Sequence, residues 1–352
     1  MKRVLVTGGA GVIGSTLVRR LHTAGHAVVN LDLRTYAACP ATLSDLRAQA
    51  PHEFVQGDVC DGALVDRTLR EHGIDTVVHL AAETHVDRSI VGPAPFVRTS
   101  VLGTFTLLEA VRRVWLDARV ADPARVRFHH VSTDEVYGAL APDDPPWNEA
   151  SPYDPRSPYA ASKAAADHLV RAYAHTYGLP ATISTACNNY GPYQFPEKLV
   201  PLAILHAIEG RTIPVYGDGL QVRDWIHVDD HAAALCAILE RGVPGRTYAV
   251  SGGVQSTNLD LLRRICGIVD AHAPRDRPAE SLVRHVADRA GHDRRYAQDG
   301  AAARALGWAP VETLDTGLPK TVAWYLDRTD WIAAARAAPE YDAWMKRNYD
   351  AR

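Results

Sequence analysis

The sequence predicts an α/β protein built on a doubly wound parallel sheet, with a smaller, interleaved α/β substrate-binding domain. Three observations predict it. Short aliphatic runs alternate with longer helical patterns through the first half, and a glycine-rich turn joins the first run to the first helix. Beyond residue 186 the alternation loosens without any flexible linker. Strands covered on both faces read as continuous apolar runs, and alternation with helices makes the sheet parallel.

The elements follow in order. Val4-Leu5-Val6 is the first strand, and residues 15–23 form a helix. Residues 27–31, Phe54-Val55 and residues 76–80 are further strands. A helix over about 99–115 precedes a strand at 127–132, a helix over about 160–177 and a strand at 181–185. Turn-rich stretches at 189–192 and 216–219 then separate helices at 199–208 and 231–241, and residues 274–278 form a surface loop. Residues 1–185 are read as the dinucleotide-binding unit, with about 221–250 returning to it. Residues 186–352 form most of the substrate-binding unit, and a cleft is expected between them.

Bulk properties narrow the function. With 352 residues, 47% hydrophobic and 22% charged, the chain can bury a large core. A formal net charge of −3 gives no electrostatic reason to expect nucleic acid. No apolar stretch approaches the ~18 residues of a membrane span. The apolar run before Thr7 and Gly8 is only three residues long and no small-residue cleavage site follows, so the N-terminus does not read as a signal peptide. Five scattered cysteines lack a Cys-x-x-Cys pair, which disfavours a disulfide framework or a zinc site. A cytoplasmic enzyme without a metal is expected.

Gly8, Gly11 and Gly14 set a G-x-x-G-x-x-G spacing directly after the first strand. Glycine allows the tight turn and brings backbone N–H groups to a pyrophosphate at a helix N-terminus, where the dipole favours anions. Asp32 ends the second strand, eighteen residues past Gly14. Its carboxylate can accept from both ribose hydroxyls of NAD and repels a 2′-phosphate; Arg34 nearby counts on the other side. The first unit is thus Rossmann-type. Asp58-Val59, ending the next strand, can present a carboxylate to the adenine amino group.

Tyr159 and Lys163 form a Tyr-x-x-x-Lys pair, and on a helix i and i+4 share a face. An ammonium beside the phenol, reinforced by an oxidised nicotinamide, is expected to lower the tyrosine pKa as a catalytic base requires. Upstream, Thr133 ends a strand where its hydroxyl can hydrogen-bond a reacting alkoxide, and Asp134 and Glu135 follow. Two neighbouring carboxyl groups can divide acid and base roles when their environments push the two pKa values apart. Consecutive strand residues face opposite ways, so these roles require the chain to leave strand geometry at Asp134.

The motifs TGGAGVIGS (7–15), HLAAETHVDRS (79–89), STDEVYG (132–138), SPYAASKAAADH (157–168), NNYGPYQFPEKL (188–199), YGDGLQVRDW (216–225) and GHDRRYA (291–297) together resemble the extended short-chain dehydrogenase/reductase superfamily. Within it they resemble the dTDP-glucose 4,6-dehydratases, STDEVYG being the discriminating motif. The resemblance implies NAD as cofactor and a nucleotide sugar as substrate. It implies Glu135 as base and Asp134 as acid, with Thr133, Tyr159 and Lys163 completing the catalytic set. Cofactor contacts would come from Gly8, Gly11, Val12, Ile13, Gly14, Asp32, Arg34, Thr35, Asp58, Val59, Leu80, Ala81, Ala82, Thr84, Thr99 and Asn189, besides Tyr159 and Lys163. Substrate contacts would come from Glu83, His85, Arg88, Thr133, Asn188, Lys198, Leu199, Pro201, Pro214, Val215 and Tyr216. Arg223, Asn258, Arg289, His292, Arg294 and Tyr296 complete that set, Arg223 as the forked clamp on the diphosphate. A homodimer pairing through the helices at 99–115 and 160–177 is also implied.

The chain departs from the family pattern at Val12, Ser100, Thr185 and Ala290, where Phe, Asn, Arg and Pro are common. None belongs to the Tyr-Lys or Asp-Glu core. The alternative reading is a dehydratase or epimerase for a UDP-, CDP- or GDP-linked sugar. A catalytically idle dinucleotide sensor would need none of the acid–base set. Asp288, Asp293 and Asp299 interrupt the arginine-rich stretch 284–304, which does not read as nucleic-acid binding.

Overall fold

The computed structural model describes residues 1–46, 52–118, 122 and 125–350. Twelve strands occur among them: β1 (Arg3–Thr7), β2 (Ala27–Asp32), β3 (His52–Gln56), β4 (Thr76–His79), β5 (Arg127–Thr133), β6 (Ala181–Ala186), β7 (Asn188–Tyr190), β8 (Ile213–Tyr216), β9 (Val222–His227), β10 (Thr247–Val250), β11 (Gln255–Thr257) and β12 (Val283–Val286). Seven form a parallel sheet in the order β10-β6-β5-β4-β1-β2-β3. The expected doubly wound α/β architecture is present.

Strand β1 shows why the runs are continuous. Leu5 joins the core on one face with Leu107, Val111 and Trp115. Val4 and Val6 face the other way, against Leu17, Val18 and Leu21 of helix Val12–Thr23 and against Ala232, Leu235 and Leu239 of helix Val228–Arg241. Each side chain so buried contributes about 1.5–3 kcal/mol.

Helix ends differ from expectation where capping chemistry acts. Helix Pro158–Tyr177 starts two residues early because Ser157 accepts from Ala160 N at 3.0 Å and proline suits the first turn. The helix expected at 99–115 runs over 94–117, with wider π-type turns at Val97–Gly103 and Arg112–Asp117. Two amphipathic helices, Gly62–Glu71 and Asn258–His272, were not among the sequence expectations.

The second half supplies a core of its own, in which Val200, Ile204, Leu261, Ile265, Leu318 and Trp331 pack together. Of the stretch 221–250, β10 joins the seven-stranded sheet and helix Val228–Arg241 covers it. Strand β9 instead pairs with β7 and β11 in a separate three-stranded sheet.

Candidate active site

Two cavities meet above the C-terminal ends of the parallel strands, where open α/β sheets bind ligands. The first holds about 1240 Å³ of empty space and the second about 950 Å³, both open to solvent, and Thr84 and Lys198 line both. Lys198 Nζ donates to Thr84 O at 2.7 Å, tying the junction together.

The first cavity fits a dinucleotide. Gly8, Gly11, Val12, Ile13 and Gly14 form its floor, with Asp32, Thr35, Asp58 and Val59 along one side. Leu80, Ala81, Ala82, Glu83 and Thr99 line the other side, and Tyr159 and Lys163 close the inner end. Gly8 has φ +72°, and a Cβ there would lie 2.8 Å from Ala81 N, so only glycine serves. A Cβ on Gly11 would have only Gly8 O nearby, at 3.4 Å, so that backbone faces the open space a pyrophosphate would take. Asp32 is held by backbone donors, Ala10 N at 2.9 Å and Arg34 N at 2.7 Å. Burial pushes its carboxyl up while those two donors pull it down. The pattern fits NAD, with Asp32 on the cavity wall where a ribose would lie.

Two residues expected at the cofactor lie elsewhere. The Arg34 guanidinium stacks over Phe54, 4.0 Å from the ring centroid, and is not part of the cavity wall. Asn189 is engaged internally, its Nδ2 donating to Cys187 O at 2.9 Å and its Oδ1 lying 2.8 Å from His231 Nδ1.

The catalytic candidates gather at the end of β5. That strand stops at Thr133 and a 3₁₀ turn, Asp134–Tyr137, begins at once. The chain therefore leaves strand geometry at the required residue. Thr133 Oγ1 accepts from Glu135 N at 3.3 Å and donates to Asp134 Oδ1 at 3.4 Å. Glu135 lines the second cavity, whereas Asp134 and Thr133 are buried behind it. Burial pushes Asp134 well above the ordinary carboxyl range, and the charges of Glu135 and Asp224 push it further. Burial also raises Glu135, but Arg289, Arg223 and Lys198 oppose the rise. Such a split separates an acid from a base.

Tyr159 departs from expectation. Burial raises its pKa, Glu135 and Asp134 raise it further, and a hydrogen bond with Thr133 opposes them. Lys163 is not among the groups that chiefly set it; its Nζ donates to Val131 O at 2.8 Å and lies 3.5 Å from His130 Nε2. Burial pushes Lys163 itself down to about 8. The same neighbours place Tyr159 beside Thr133 and the carboxyl couple.

The second cavity draws on His85, Asn188, Leu199, Pro214, Val215, Tyr216, Arg223, Asn258, Arg289, His292 and Tyr296. Arg223 is fixed over the Tyr296 ring at 4.1 Å, with Nη1 donating to Val222 O at 2.7 Å and Nη2 to Asp293 O at 2.9 Å. Five expected residues stay outside it: Glu83 lines the first cavity instead, Thr133 lies buried behind Glu135, and three others are engaged elsewhere. Arg88 lies between Tyr36 and Trp344, at 3.7 and 4.2 Å, and pairs with buried Glu197 at 3.1 Å. Pro201 is buried in helix Leu199–Glu209, away from the cavity wall. Arg294 pairs on the surface with Asp218 at 2.9 Å.

Tyr349, which sequence reasoning missed, lines this cavity, as does Asp87 of the 79–89 motif. Asp87 accepts from Tyr216 OH at 2.7 Å, Asn348 Nδ2 at 3.1 Å and Arg289 Nη1 at 3.2 Å. Burial works to raise its pKa, but His85 and Arg289 bring it down to about 2. Tyr349 stacks on Tyr216 with centroids 6.3 Å apart. Asp87 sat inside a quoted motif; Tyr349 had no local signal. Among the described residues no cluster of His, Cys, Asp or Glu is arranged to hold a metal ion.

A family model described as GDP-mannose 4,6 dehydratase matches residues 5–321. The chain is 46% identical over 360 residues to a dTDP-glucose 4,6-dehydratase of Shigella flexneri, covering 99% of each. It is 51% identical over 333 residues to one of Neisseria gonorrhoeae, covering 93% of this chain and 96% of that protein. It superposes with a TM-score of 0.85 and 45% identity on DesIV, a dTDP-glucose 4,6-dehydratase from Streptomyces venezuelae solved with NAD and TYD bound, covering 95% of this chain and 99% of that one. With most of its length matched in sequence and in fold, the chain belongs to the nucleotide-sugar 4,6-dehydratases, within the dTDP-glucose 4,6-dehydratase family.

Proposed function

We propose that this protein converts dTDP-glucose to dTDP-4-keto-6-deoxyglucose, using NAD and losing water. The observation that carries this reading is the carboxyl couple Asp134–Glu135 on a 3₁₀ turn beside Thr133 and Tyr159. An epimerase would have no use for a buried acid next to a base.

The bound cofactor would supply a hydride acceptor for C4 and a positive charge beside the phenol as NAD⁺, and a hydride donor to C6 once reduced. Tyr159 takes the C4 hydroxyl proton, and Thr133 holds the developing alkoxide. The C4 ketone acidifies the neighbouring C5–H, and Glu135, its charge supported by Arg289 and Arg223, removes that proton. Asp134, held protonated by burial and by Glu135, gives its proton to the departing C6 hydroxyl. Glu135 then returns its proton to C5 as C6 is reduced. Lys163 shares a helix face with Tyr159 and donates to Val131 O. Arg223 and Arg289 would bind the diphosphate and Asn258, His292 and Tyr296 the rest of the nucleotide, a reading supported by their all lining the second cavity.

Two copies would pair through the helical run 94–117, where Val97, Leu102 and Phe105 are exposed apolar residues lining one groove. No described helix is long and apolar enough to cross a membrane. The five cysteines, free in the structure, suit the reducing cytoplasm.

Purified protein would be incubated with dTDP-, UDP-, CDP- and GDP-linked glucose and mannose. The 4-keto-6-deoxy product would be scored by its absorbance in alkali and by the mass of one lost water. Turnover of dTDP-glucose with water loss supports the reading. Turnover of another nucleotide alone, or isomerisation at constant mass, sinks it.

A further inference from the structure

One turn beyond Lys163, on the same helix, stands a charged group for which the dehydration chemistry above has no role. Asp167 is fully buried, and its Oδ1 lies 3.2 Å from His130 Nε2. Its Oδ2 accepts from Ser132 Oγ and from Tyr153 OH, each at 2.8 Å. The same His130 Nε2 lies 3.5 Å from Lys163 Nζ. A single imidazole nitrogen thus faces an ammonium on one side and a carboxylate on the other, with all three side chains withdrawn from water. A buried ammonium without a counter-charge gives up its proton.

We propose that Asp167 is a positioning residue whose buried carboxylate, across the edge of His130, acts through space to keep Lys163 charged and fixed on the Tyr159 face of its helix. The surrounding groups leave the task to it. From β4 the His79 ring lies 5.3 Å from that of His130, and burial keeps His79, His129 and His130 neutral by lowering all three. Tyr137 and Tyr153 are pushed up by burial and stay neutral. His168 meets only the Tyr153 ring, at 5.4 Å. Arg171 reaches Tyr153 OH at 2.7 Å and so touches Asp167 only through that phenol. Burial drives Lys163 downward, and Asp167 is the neighbour that opposes it. The role of a charged Lys163 in turnover rests on the dehydratase reading; its charge state does not.

The chain has five lysines, so the lysine ε-carbons can be followed by NMR in ¹³C-labelled, NAD-loaded protein, with Lys163→Arg assigning the resonance. Asp167→Asn should lower the pH at which Lys163 titrates by about one unit or more. Tyr153→Phe, which keeps the charge, should leave it in place. In steady state the alkaline limb of kcat should move to lower pH in Asp167→Asn by the same amount. Lys163 titrating at one pH in wild type and Asp167→Asn overturns the proposal, as does a kcat lowered equally at every pH with its limb unmoved. Should Asp167→Asn fail to fold, Asp167→Glu decides: it must hold the Lys163 titration near the wild-type value, and a fall of a full unit refutes the proposal. A wild type that dehydrates no nucleotide sugar would sink the proposed function, while the NMR titrations still decide this one.

Discussion

Two glycines in one loop should respond in opposite ways to the same added methyl group. A Cβ on Gly14 would lie 2.2 Å from Gly8 O and 2.7 Å from Gly9 Cα, backbone atoms that cannot step aside. Overpacking of this kind costs about 1–3 kcal/mol. In a chain of this size each kcal/mol lowers the unfolding midpoint by roughly 2–4 °C, so Gly14→Ala should melt several degrees early even without cofactor. Gly11 has φ −76° and ψ 172°, open to any residue, and its Cβ would meet nothing closer than 3.4 Å. Gly11→Ala should therefore keep the apo stability within about 0.5 kcal/mol. Its methyl group enters the space left for the pyrophosphate. NAD at 100 times its Kd stabilises by about 2.7 kcal/mol, and each tenfold loss of affinity removes about 1.4 kcal/mol of that. Thermal unfolding of both variants, with and without NAD, separates the cases. Gly11→Ala melting as early as Gly14→Ala without NAD, or gaining the full NAD increment, would refute this account of the loop.

Further expectations concern the second cavity and the titrating groups. Arg223→Met should weaken dTDP binding by about 10- to 150-fold, the worth of charge-assisted hydrogen bonds at ~1.5–3 kcal/mol. Calorimetry with dTDP checks it, and unchanged affinity removes Arg223 from the phosphates. Glu135→Gln should stop dehydration yet leave C4 oxidation, so dTDP-glucose should produce lasting NADH absorbance; wild-type turnover would end its assignment as base. Buried His85, His130 and His231 are lowered to about 4 from 6.5. The unfolded chain thus binds more protons than the folded one between these values, and stability should be full above pH 6.5 and fall steadily toward pH 4. Denaturant unfolding at several pH values checks the sign, and a midpoint that holds or rises on acidification contradicts it.

What the sequence conveys about this fold depends on how local each feature is. The parallel strands were legible because burial on both faces leaves an unbroken apolar run, as at Val4-Leu5-Val6. The glycine turn and the break after Thr133 were legible because each function is packed into a few consecutive residues. Helix Gly62–Glu71 was passed over although Asp61 caps it, accepting from Ala63 N and Leu64 N. Its apolar residues, Ala63, Leu64, Val65 and Leu69, are matched by the charges of Asp66, Arg67, Arg70 and Glu71 within ten residues, which blurs the helical pattern. Arg88 and Arg294 look alike in sequence as phosphate ligands, yet neutralisation by Glu197 and Asp218 takes both out of the cavity wall. The partner of a charge is a long-range fact. The same holds for Tyr349, 133 residues beyond the Tyr216 ring on which it stacks.

The convergence on Asp87 has a consequence for when this protein becomes competent. Its partners Tyr216, Arg289 and Asn348 stand 129, 202 and 261 residues away along the chain. A nascent polypeptide emerging from the ribosome through residue 200 would already contain the glycine turn, Asp32 and the tyrosine–lysine pair. It would lack Tyr216, Arg289 and Asn348, the three partners that hold Asp87 in the wall of the second cavity. That wall of the second cavity therefore forms only when segments far apart along the chain have come together.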